Sequence, residues 1–112
     1  MYEQQIKSGR TVDGMNFNQK VWAFTARIPK GQVTTYGAIA HALGSRAYRA
    51  VGNALRQNPY APQVPCHRVV GSDGRLTGFA QGIARKRQML QAEGIPVSAD
   101  RVTVDQFYSF AG

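Results

Sequence analysis

The sequence predicts a mostly α-helical domain with a small β component, arranged as a winged-helix-like, helix-turn-helix DNA-binding fold. Three observations carry this prediction: apolar residues recur at helical spacing in the first half, a tight Gly44-Ser45 turn separates two helical segments, and a glycine-rich turn separates two β-prone segments further on. A length of 112 residues without a long linker predicts one domain over residues 1–112. The polar residues 1–14 are expected to be poorly ordered.

The first two predicted helices each have a capping residue. Asn16 and Gln19 have the spacing of a capping box, and apolar residues then recur at helical spacing as far as Ile28. After a short β-prone piece, Thr35 is placed to cap a second helix over residues 36–43. Both helix starts are therefore predicted from side-chain capping as well as from sequence pattern.

The third predicted helix, Ser45 to Arg56, would be the recognition helix. Ser45 is expected to cap it, and its two faces differ in chemistry. The residues spaced for the core are Tyr48, Val51 and Leu55, and those on the polar face are Arg46, Arg49, Asn53 and Arg56. An arginine-bearing second helix after a tight turn is typical of a helix-turn-helix, although a plain solvated face has the same pattern.

The segment after the recognition helix leads to the single cysteine. Residues 57–65 contain three prolines and are therefore predicted to form a loop that ends at Cys66. Residues 67–70 then predict a strand, residues 71–74 a hairpin turn, and residues 75–77 the return strand. A hairpin that follows a helix-turn-helix would form a wing.

The last third of the chain is predicted to hold one long helix and a small strand pair. The helix covers residues 83–93 and is closed by a glycine. A strand pair is expected around Val97 and residues 102–104. A helical turn that packs Phe107 and Phe110 would end the domain.

The charge is strongly positive and unevenly distributed. The net charge is +8, and no acidic residue occurs from Gly14 to Ser72. That segment carries seven basic residues, which are Lys20, Arg27, Lys30, Arg46, Arg49, Arg56 and Arg68. An uninterrupted positive field rich in arginine predicts an anionic partner such as nucleic acid, and the alternative is a basic surface that serves only solubility.

The composition argues against several other classes of protein. One cysteine cannot form an internal disulfide, and two histidines with one thiol have no zinc-ligand spacing, so neither a metal nor another cofactor is expected. The N-terminal residues lack the apolar stretch of a signal peptide, and no run reaches the roughly 18 apolar residues of a membrane span, so no membrane partner is expected. We expect a cytoplasmic protein, or a nuclear one in a eukaryote.

The consecutive residues Cys66, His67 and Arg68 bring together a potential nucleophile, a proton carrier and a fixed cation. A thiol reacts as its thiolate, which a nearby imidazole or guanidinium favours, so this is the predicted site of chemistry. The alternative for a lone cysteine is a small buried side chain that packs in the core.

A set of short motifs makes the chain similar to a known family. The motifs are Val21-Trp22, Ile28-Pro29-Lys30-Gly31, Val33-Thr34-Thr35-Tyr36-Gly37, Arg49-Ala50-Val51-Gly52, Asn58-Pro59, Pro65-Cys66-His67-Arg68-Val69-Val70, Gly74-Arg75-Leu76-Thr77-Gly78-Phe79 and Ala92-Glu93-Gly94. In this order and spacing, over residues 17 to about 97, the chain resembles the C-terminal, active domain of the O6-alkylguanine-DNA alkyltransferases, also called methylated-DNA-protein-cysteine methyltransferases.

The resemblance implies a monomeric suicide repair protein that binds double-stranded DNA in the minor groove and rotates an O6-alkylated guanine into a pocket. The alkyl group would pass from guanine O6 to Cys66. His67 would deprotonate Cys66 through a water, Glu93 would orient His67, and Asn58 would hold the turn that positions the cysteine. From the residues alone, a solvent-exposed acid at a helix end is the simpler interpretation of Glu93.

The resemblance also implies DNA contacts and a guanine pocket. Arg49 would fill the gap in the base stack, and Tyr36 would press on the adjacent phosphate to drive the rotation. Together with the rest of the polar face, the expected DNA contacts are Thr35, Tyr36, Arg46, Arg49, Asn53, Arg56 and Arg68. The expected pocket residues are Tyr36, Pro65, Val69, Phe79 and Ala80.

Two departures from the family pattern are expected, of which the second bears on substrate range. The N-terminal domain of the longer members is expected to be absent, together with any stabilising or metal-binding contribution that it makes. Phe79 and Ala80 stand where some members place hydroxyl groups, and each lost hydrogen bond to the leaving group would weaken its stabilisation by about 1 kcal/mol.

Two other functions stay open. The compact size and the tail from Val102 to Tyr108 are also similar to the alkyltransferase-like proteins, which bind O6-alkylguanine and flag it for other repair proteins. Those proteins typically carry tryptophan in place of Cys66, so the cysteine favours transfer. A winged-helix transcription regulator would explain the basic helix and the hairpin but not the Pro-Cys-His-Arg motif.

Overall fold

The computed structural model describes residues 2–79, 81–102 and 107–110. Within these residues the chain forms helices and very short strands, which confirms the predicted mostly α-helical class with a small β component. The elements are α1 (Glu3–Lys7), α2 (Phe17–Thr25), β1 (Thr34–Thr35), α3 (Tyr36–Ala42), α4 (Tyr48–Arg56), a 3₁₀ turn (Cys66–Arg68), β2 (Val69–Val70), α5 (Ile83–Ala92), β3 (Val97–Ser98) and β4 (Arg101–Val102). None of the helices in this part of the chain is long and apolar enough to cross a membrane.

Helices α2, α3 and α4 enclose the main apolar core. The predicted capping box is present, because the Asn16 side chain accepts a hydrogen bond from the Gln19 backbone N–H and the Gln19 side chain accepts one from Asn16 N–H. The Thr35 side chain caps α3 as predicted. The indole of Trp22 donates to the Ala54 carbonyl at 2.7 Å, which ties α2 directly to α4.

The start of α4 differs from the prediction. The helix begins at Tyr48, three residues after Ser45, and its N-cap residue Ala47 makes no side-chain cap. The Ser45 hydroxyl instead accepts a hydrogen bond from Ala47 N–H and closes the preceding turn. Tyr48, expected in the core, is 55% exposed, whereas Val51 and Leu55 are buried as predicted. Tyr48 therefore belongs to the outer surface of the helix-turn-helix.

The predicted hairpin pairs differently in the structure. β2 pairs in parallel with β1, with Val69 opposite Thr34, and not with residues 75–77. The turn itself is present, since Gly71 N–H donates to the Arg75 carbonyl at 2.8 Å, but Arg75 then bridges to β4. Both valines of β2 are fully buried, and a strand buried on two sides is better placed between core layers than in an exposed wing.

The N-terminal residues also differ from the prediction, since the described part of residues 1–14 is folded onto the domain. Ile6 of α1 is fully buried in a cluster with Met15, Ala23 and Val64. The Gly9 carbonyl accepts a hydrogen bond from the side chain of Arg27. One buried isoleucine among polar neighbours is too weak a pattern to predict a helix of five residues from sequence.

The C-terminal part agrees with the prediction in α5 and in the β3–β4 pair, although residues 103–106 lie outside the described residues. The predicted helical turn at its end is wrong. Phe107 forms a bridge to Val33, and Tyr108 N–H donates to the Val33 carbonyl at 2.6 Å, so the segment runs alongside the chain that leads into β1. Phe110 packs edge-on against Phe24.

The burial of Ile6 yields a stability prediction. Replacing Ile6 with Ala removes a fully buried side chain and should lower the free energy of unfolding by about 2–4 kcal/mol in a urea titration. Ile83→Ala is the matched control, because Ile83 is 40% exposed and should change stability far less. An Ile6→Ala variant as stable as the parent would mean that α1 does not contribute to the fold.

Candidate active site and nucleic-acid interface

Cys66 lies at the start of the 3₁₀ turn, at the end of a loop that is braced from within. The side-chain amide of Asn58 donates to the Val64 carbonyl at 2.8 Å, and the Asn58 side-chain oxygen accepts from Tyr60 N–H at 2.9 Å. Pro65, which immediately precedes the cysteine, is buried. Asn58 thus fixes the shape of the loop that presents the partly exposed Cys66 thiol.

His67 lies in the 3₁₀ turn and not at the start of a strand, which corrects the sequence prediction. His67 is only 2% exposed, and its ring Nε2 lies 3.0 Å from Oε2 of Glu93. The compact turn points His67 inward while Cys66 stays accessible. The simpler interpretation of Glu93 as a solvent-exposed acid is wrong, because only 14% of its side chain is accessible.

Arg68 also turns inward. Its contacts with Glu93 and Ile28 correct the prediction that its side chain contacts DNA. Nε donates to Glu93 Oε1 at 2.9 Å, Nη2 donates to Glu93 Oε2 at 2.6 Å, and Nη1 donates to the Ile28 carbonyl at 2.7 Å. Every guanidinium nitrogen therefore has a partner inside the protein. A fork of this kind suits a carboxylate, which explains why the charge is used internally.

The ionisation of this cluster follows from its contacts. Burial alone raises the pKa of the Glu93 carboxyl, but the hydrogen bonds from Arg68 and His67 outweigh burial and leave the pKa below its usual value. Burial lowers the pKa of His67, and the opposing effect of Glu93 only partly offsets it. An ionised carboxylate can only accept, so His67 donates from Nε2 and its Nδ1 carries the free lone pair.

Lys86 is a buried cation that the sequence reasoning missed. It is 1% exposed, its Nζ donates to the Thr77 carbonyl at 2.9 Å and approaches the Tyr36 hydroxyl at 3.5 Å, and burial lowers its pKa to about 8. The available signal was its spacing on α5, four residues before the buried Leu90 and seven before Glu93, which places it on the inner face.

Tyr36 links this lysine to the surface. The Tyr36 hydroxyl lies within hydrogen-bonding distance of the Thr77 hydroxyl, at 3.3 Å. The Lys86 ammonium lies 5.8 Å from the centroid of the Tyr36 ring. Burial raises the pKa of Tyr36, with a smaller opposing contribution from Thr77. The phenol therefore stays protonated at neutral pH and can donate a hydrogen bond.

A cavity of about 110 Å³ opens beside the thiol. Its lining residues are Ala61, Pro62, Cys66, His67, Phe79, Gln81, Arg85 and Met89. Of the predicted pocket residues, only Phe79 lines this cavity. The Val69 side chain is fully buried in the core, Tyr36 lines a different groove, and Ala80 lies outside the described residues.

A second, larger groove of about 360 Å³ runs along the outer face of α4. Its lining residues are Tyr36, Tyr48, Arg49, Gly52, Asn53, Arg56, Thr77 and Gly78. The groove thus brings together four of the predicted DNA contacts, and none of its described lining residues is acidic. Arg46 is exposed just before α4 and outside this lining, and the Thr35 side chain caps α3.

Among the described residues, no group of three or more histidine, cysteine, aspartate or glutamate side chains is arranged to hold a metal ion. The site brings together the Cys66 thiol, the His67 imidazole and the Glu93 carboxylate, which is paired with Arg68, while the Lys86 ammonium and the Tyr36 phenol form a second group. An electropositive groove lies beside it on α4.

Comparison with known proteins adds independent observations. A family model described as "6-O-methylguanine DNA methyltransferase, DNA binding domain" matches residues 16–95. A methylated-DNA–protein-cysteine methyltransferase of Methanosarcina barkeri is 49% identical over 82 residues, which cover 72% of this chain and 52% of that protein. The chain spans about half the length of the curated relatives it matches.

Two solved structures show the same fold. Mycobacterium tuberculosis OGT in complex with DNA superposes with a TM-score of 0.68 at 40% identity, covering 81% of this chain and 63% of that one. S. pombe Atl1 in complex with damaged DNA containing O6-carboxymethylguanine has a TM-score of 0.72 at 28% identity, covering 83% of this chain and 94% of that one.

The Arg68–Glu93 pair yields a double-mutant prediction. Arg68→Met leaves a mostly buried carboxylate without its main partner and should lower the free energy of unfolding by about 2–4 kcal/mol in urea. Adding Glu93→Gln removes the unpaired charge, so the double variant should recover part of that loss. Strictly additive effects of the two substitutions would contradict the coupling inferred from the distances.

Proposed function

The chain belongs to the family of 6-O-methylguanine DNA methyltransferase DNA-binding domains, and from this premise we propose that it repairs DNA by moving an alkyl group from guanine O6 to Cys66. The observation that carries the proposal is the accessible Cys66 thiol beside a small cavity, next to a neutral His67 that Glu93 holds in place. By analogy with the family, the reaction would use the protein once and leave the alkyl group on Cys66.

Duplex binding would use the groove on α4. Arg49, Asn53 and Arg56 line it, no acid is among the lining residues that the structure describes, and the net charge of the chain is +8. Such a surface attracts the phosphate backbone independently of base sequence. By analogy with the family, Arg49 takes the place of the extruded nucleotide and the Tyr36 side chain presses on the neighbouring phosphate, which offsets the few kcal/mol that unstacking costs.

Thiol activation would run through His67. Its Nδ1 is the basic nitrogen, because Nε2 is bound to Glu93, and it accepts the Cys66 proton through one water. Glu93 then stabilises the imidazolium that forms, and Arg68 keeps Glu93 ionised. Asn58 holds the loop so that the thiol faces the cavity.

Transfer itself is a displacement at the alkyl carbon. The bond from carbon to Cys66 Sγ forms as the bond from carbon to guanine O6 breaks, and the electron pair of that bond passes to the purine, which must gain a proton or hydrogen bonds. We propose Tyr36 and the buried Lys86, which lie 3.5 Å apart, as the donors. Lys86 Nζ also lies 5.8 Å from the ring centroid of Phe79, and these two donors would supply hydrogen bonds that Phe79, which has no hydroxyl, cannot.

A second candidate function is recognition of the lesion without transfer. It is favoured by the similarity to S. pombe Atl1, 94% of whose length the chain covers. In that case the protein would bind O6-alkylguanine and present it to other repair proteins. The accessible Cys66 argues for transfer as the first candidate.

Both candidates place the protein where genomic DNA is. We propose the cytoplasm for a prokaryotic source and the nucleus for a eukaryotic one, with double-stranded DNA containing O6-alkylguanine as the partner.

Intact-mass spectrometry distinguishes the two functions. After incubation with a duplex that contains one O6-methylguanine, the protein should gain one methyl group, and peptide mapping should place it on Cys66. Cys66→Ser should bind the same duplex with similar affinity and gain no mass, because a hydroxyl is a far weaker nucleophile than a thiolate. Tight binding of the parent protein with unchanged mass would support lesion recognition instead.

A further inference from the structure

Helix α1 packs against the loop that ends at Cys66. The family model matches residues 16–95, so α1 lies outside the matched residues, and the proposed reaction uses none of its side chains. Ile6 of α1 is fully buried in one cluster with Val64, which lies two residues before Cys66. The next residue, Lys7, places its Nζ 5.5 Å from the centroid of the Tyr60 ring in the same loop. Two successive residues of α1 therefore pack beside the cysteine loop.

Val64 connects this packing to the cysteine through the backbone. Its carbonyl accepts hydrogen bonds from Cys66 N–H at 2.9 Å and from the Asn58 side-chain amide at 2.8 Å. Its own N–H donates to the Tyr60 carbonyl at 3.0 Å. Because the Val64 side chain is fully buried in a close-packed cluster, the atoms around it fix the position of these backbone groups.

Helix α1 is in turn held by α2 and the segment around it. The Gly9 carbonyl, just after α1, accepts a hydrogen bond from Arg27 Nε at 2.7 Å, and Ala23 of α2 and Met15 belong to the same buried cluster as Ile6. A helix of five residues does not hold its shape alone, so this packing keeps α1 in place. The cluster therefore joins α2, α1 and the cysteine loop into one unit.

The position of this loop matters for any displacement by the thiol. Ala61 and Pro62 of the loop line the cavity together with Cys66, so a shift of the loop moves both the sulfur and the cavity wall. Reacting atoms must be held close to the geometry of attack, and a misplacement of about 1 Å can lower a rate by about 10²-fold. A residue that fixes the loop therefore affects the rate of transfer without touching the substrate.

We propose that Ile6 is a positioning residue for Cys66, which acts through Val64 to hold the thiol at the cavity. This inference rests on the proposed function and adds a helix outside the matched family domain to the same site. Helix α1 contributes to the transfer step and not to duplex binding, because none of the described lining residues of the groove on α4 comes from α1 or from the cysteine loop.

Single-turnover methyl transfer from a saturating O6-methylguanine duplex separates positioning from binding. Ile6→Ala should lower the transfer rate roughly tenfold and leave the Kd for the duplex unchanged. Ile6→Val, which keeps most of the buried side chain, should recover most of the rate. Val102→Ala is the matched control, because Val102 is 3% exposed in a separate cluster without loop residues, so it should lower stability in urea but not the transfer rate.

Reaction of Cys66 with iodoacetamide gives a second readout that needs no DNA. Cys66 is the only cysteine of the chain, so the intact mass reports its alkylation directly. At urea concentrations where the proteins stay folded, Ile6→Ala should raise the alkylation rate severalfold, since a loosened loop uncovers the thiol, and Val102→Ala should not. Exposure through global unfolding would instead make the rate rise steeply with urea.

The outcomes separate the two proposals. If the parent protein transfers methyl groups and Ile6→Ala transfers them at the same rate, the positioning proposal is overturned and the proposed function stands. An equal loss of transfer in Ile6→Ala and Val102→Ala would also overturn it, because lowered stability alone would then explain the effect. If the parent protein transfers no methyl group, the proposed function itself fails, and the iodoacetamide rates still decide whether α1 positions the thiol.

Discussion

The carboxylate of Glu93 is the interaction on which the rest of the site depends. It lies just after α5 and accepts hydrogen bonds from His67 and Arg68, so it fixes the 3₁₀ turn that presents Cys66. Arg68 extends the network to the Ile28 carbonyl, after α2. The segment after α2 and the segment after α5 are thereby joined through one mostly buried ion pair. Removing either partner would leave an uncompensated charge.

This network also sets the charge state of the reacting groups. Burial lowers the pKa of His67, and the nearby positive charge of Arg68 adds to this effect, so His67 is neutral near pH 7 and can accept a proton. Lys86 and Tyr36 form a second group of donors, which lie 3.5 Å from each other and make no hydrogen bond to Glu93. The proposed reaction needs both kinds of group, because a thiol loses a proton and a purine gains a proton or hydrogen bonds.

Local features were predictable from the sequence, and those that depend on distant partners were not. The caps at Asn16 and Thr35 were predicted because their hydrogen bonds close within three residues. The parallel pairing of β2 joins segments thirty-five residues apart, so no turn chemistry signals it. In the sequence, Arg68 cannot be told apart from the arginines predicted to contact DNA. Only its hydrogen bonds to the Glu93 carboxylate show that its charge is used inside the protein. Lys86 was hidden because lysine is rarely buried.

The pH dependence of methyl transfer under single-turnover conditions tests the central claim that Glu93 controls His67 as the base for Cys66. Since the pKa of His67 lies below its ordinary value of about 6.5, the rate should fall only as the pH drops below that value. Glu93→Gln removes a charge that raises the pKa of His67, so its acid limb should move to lower pH and its maximal rate should decrease. An acid limb at the same pH in both proteins would contradict the account.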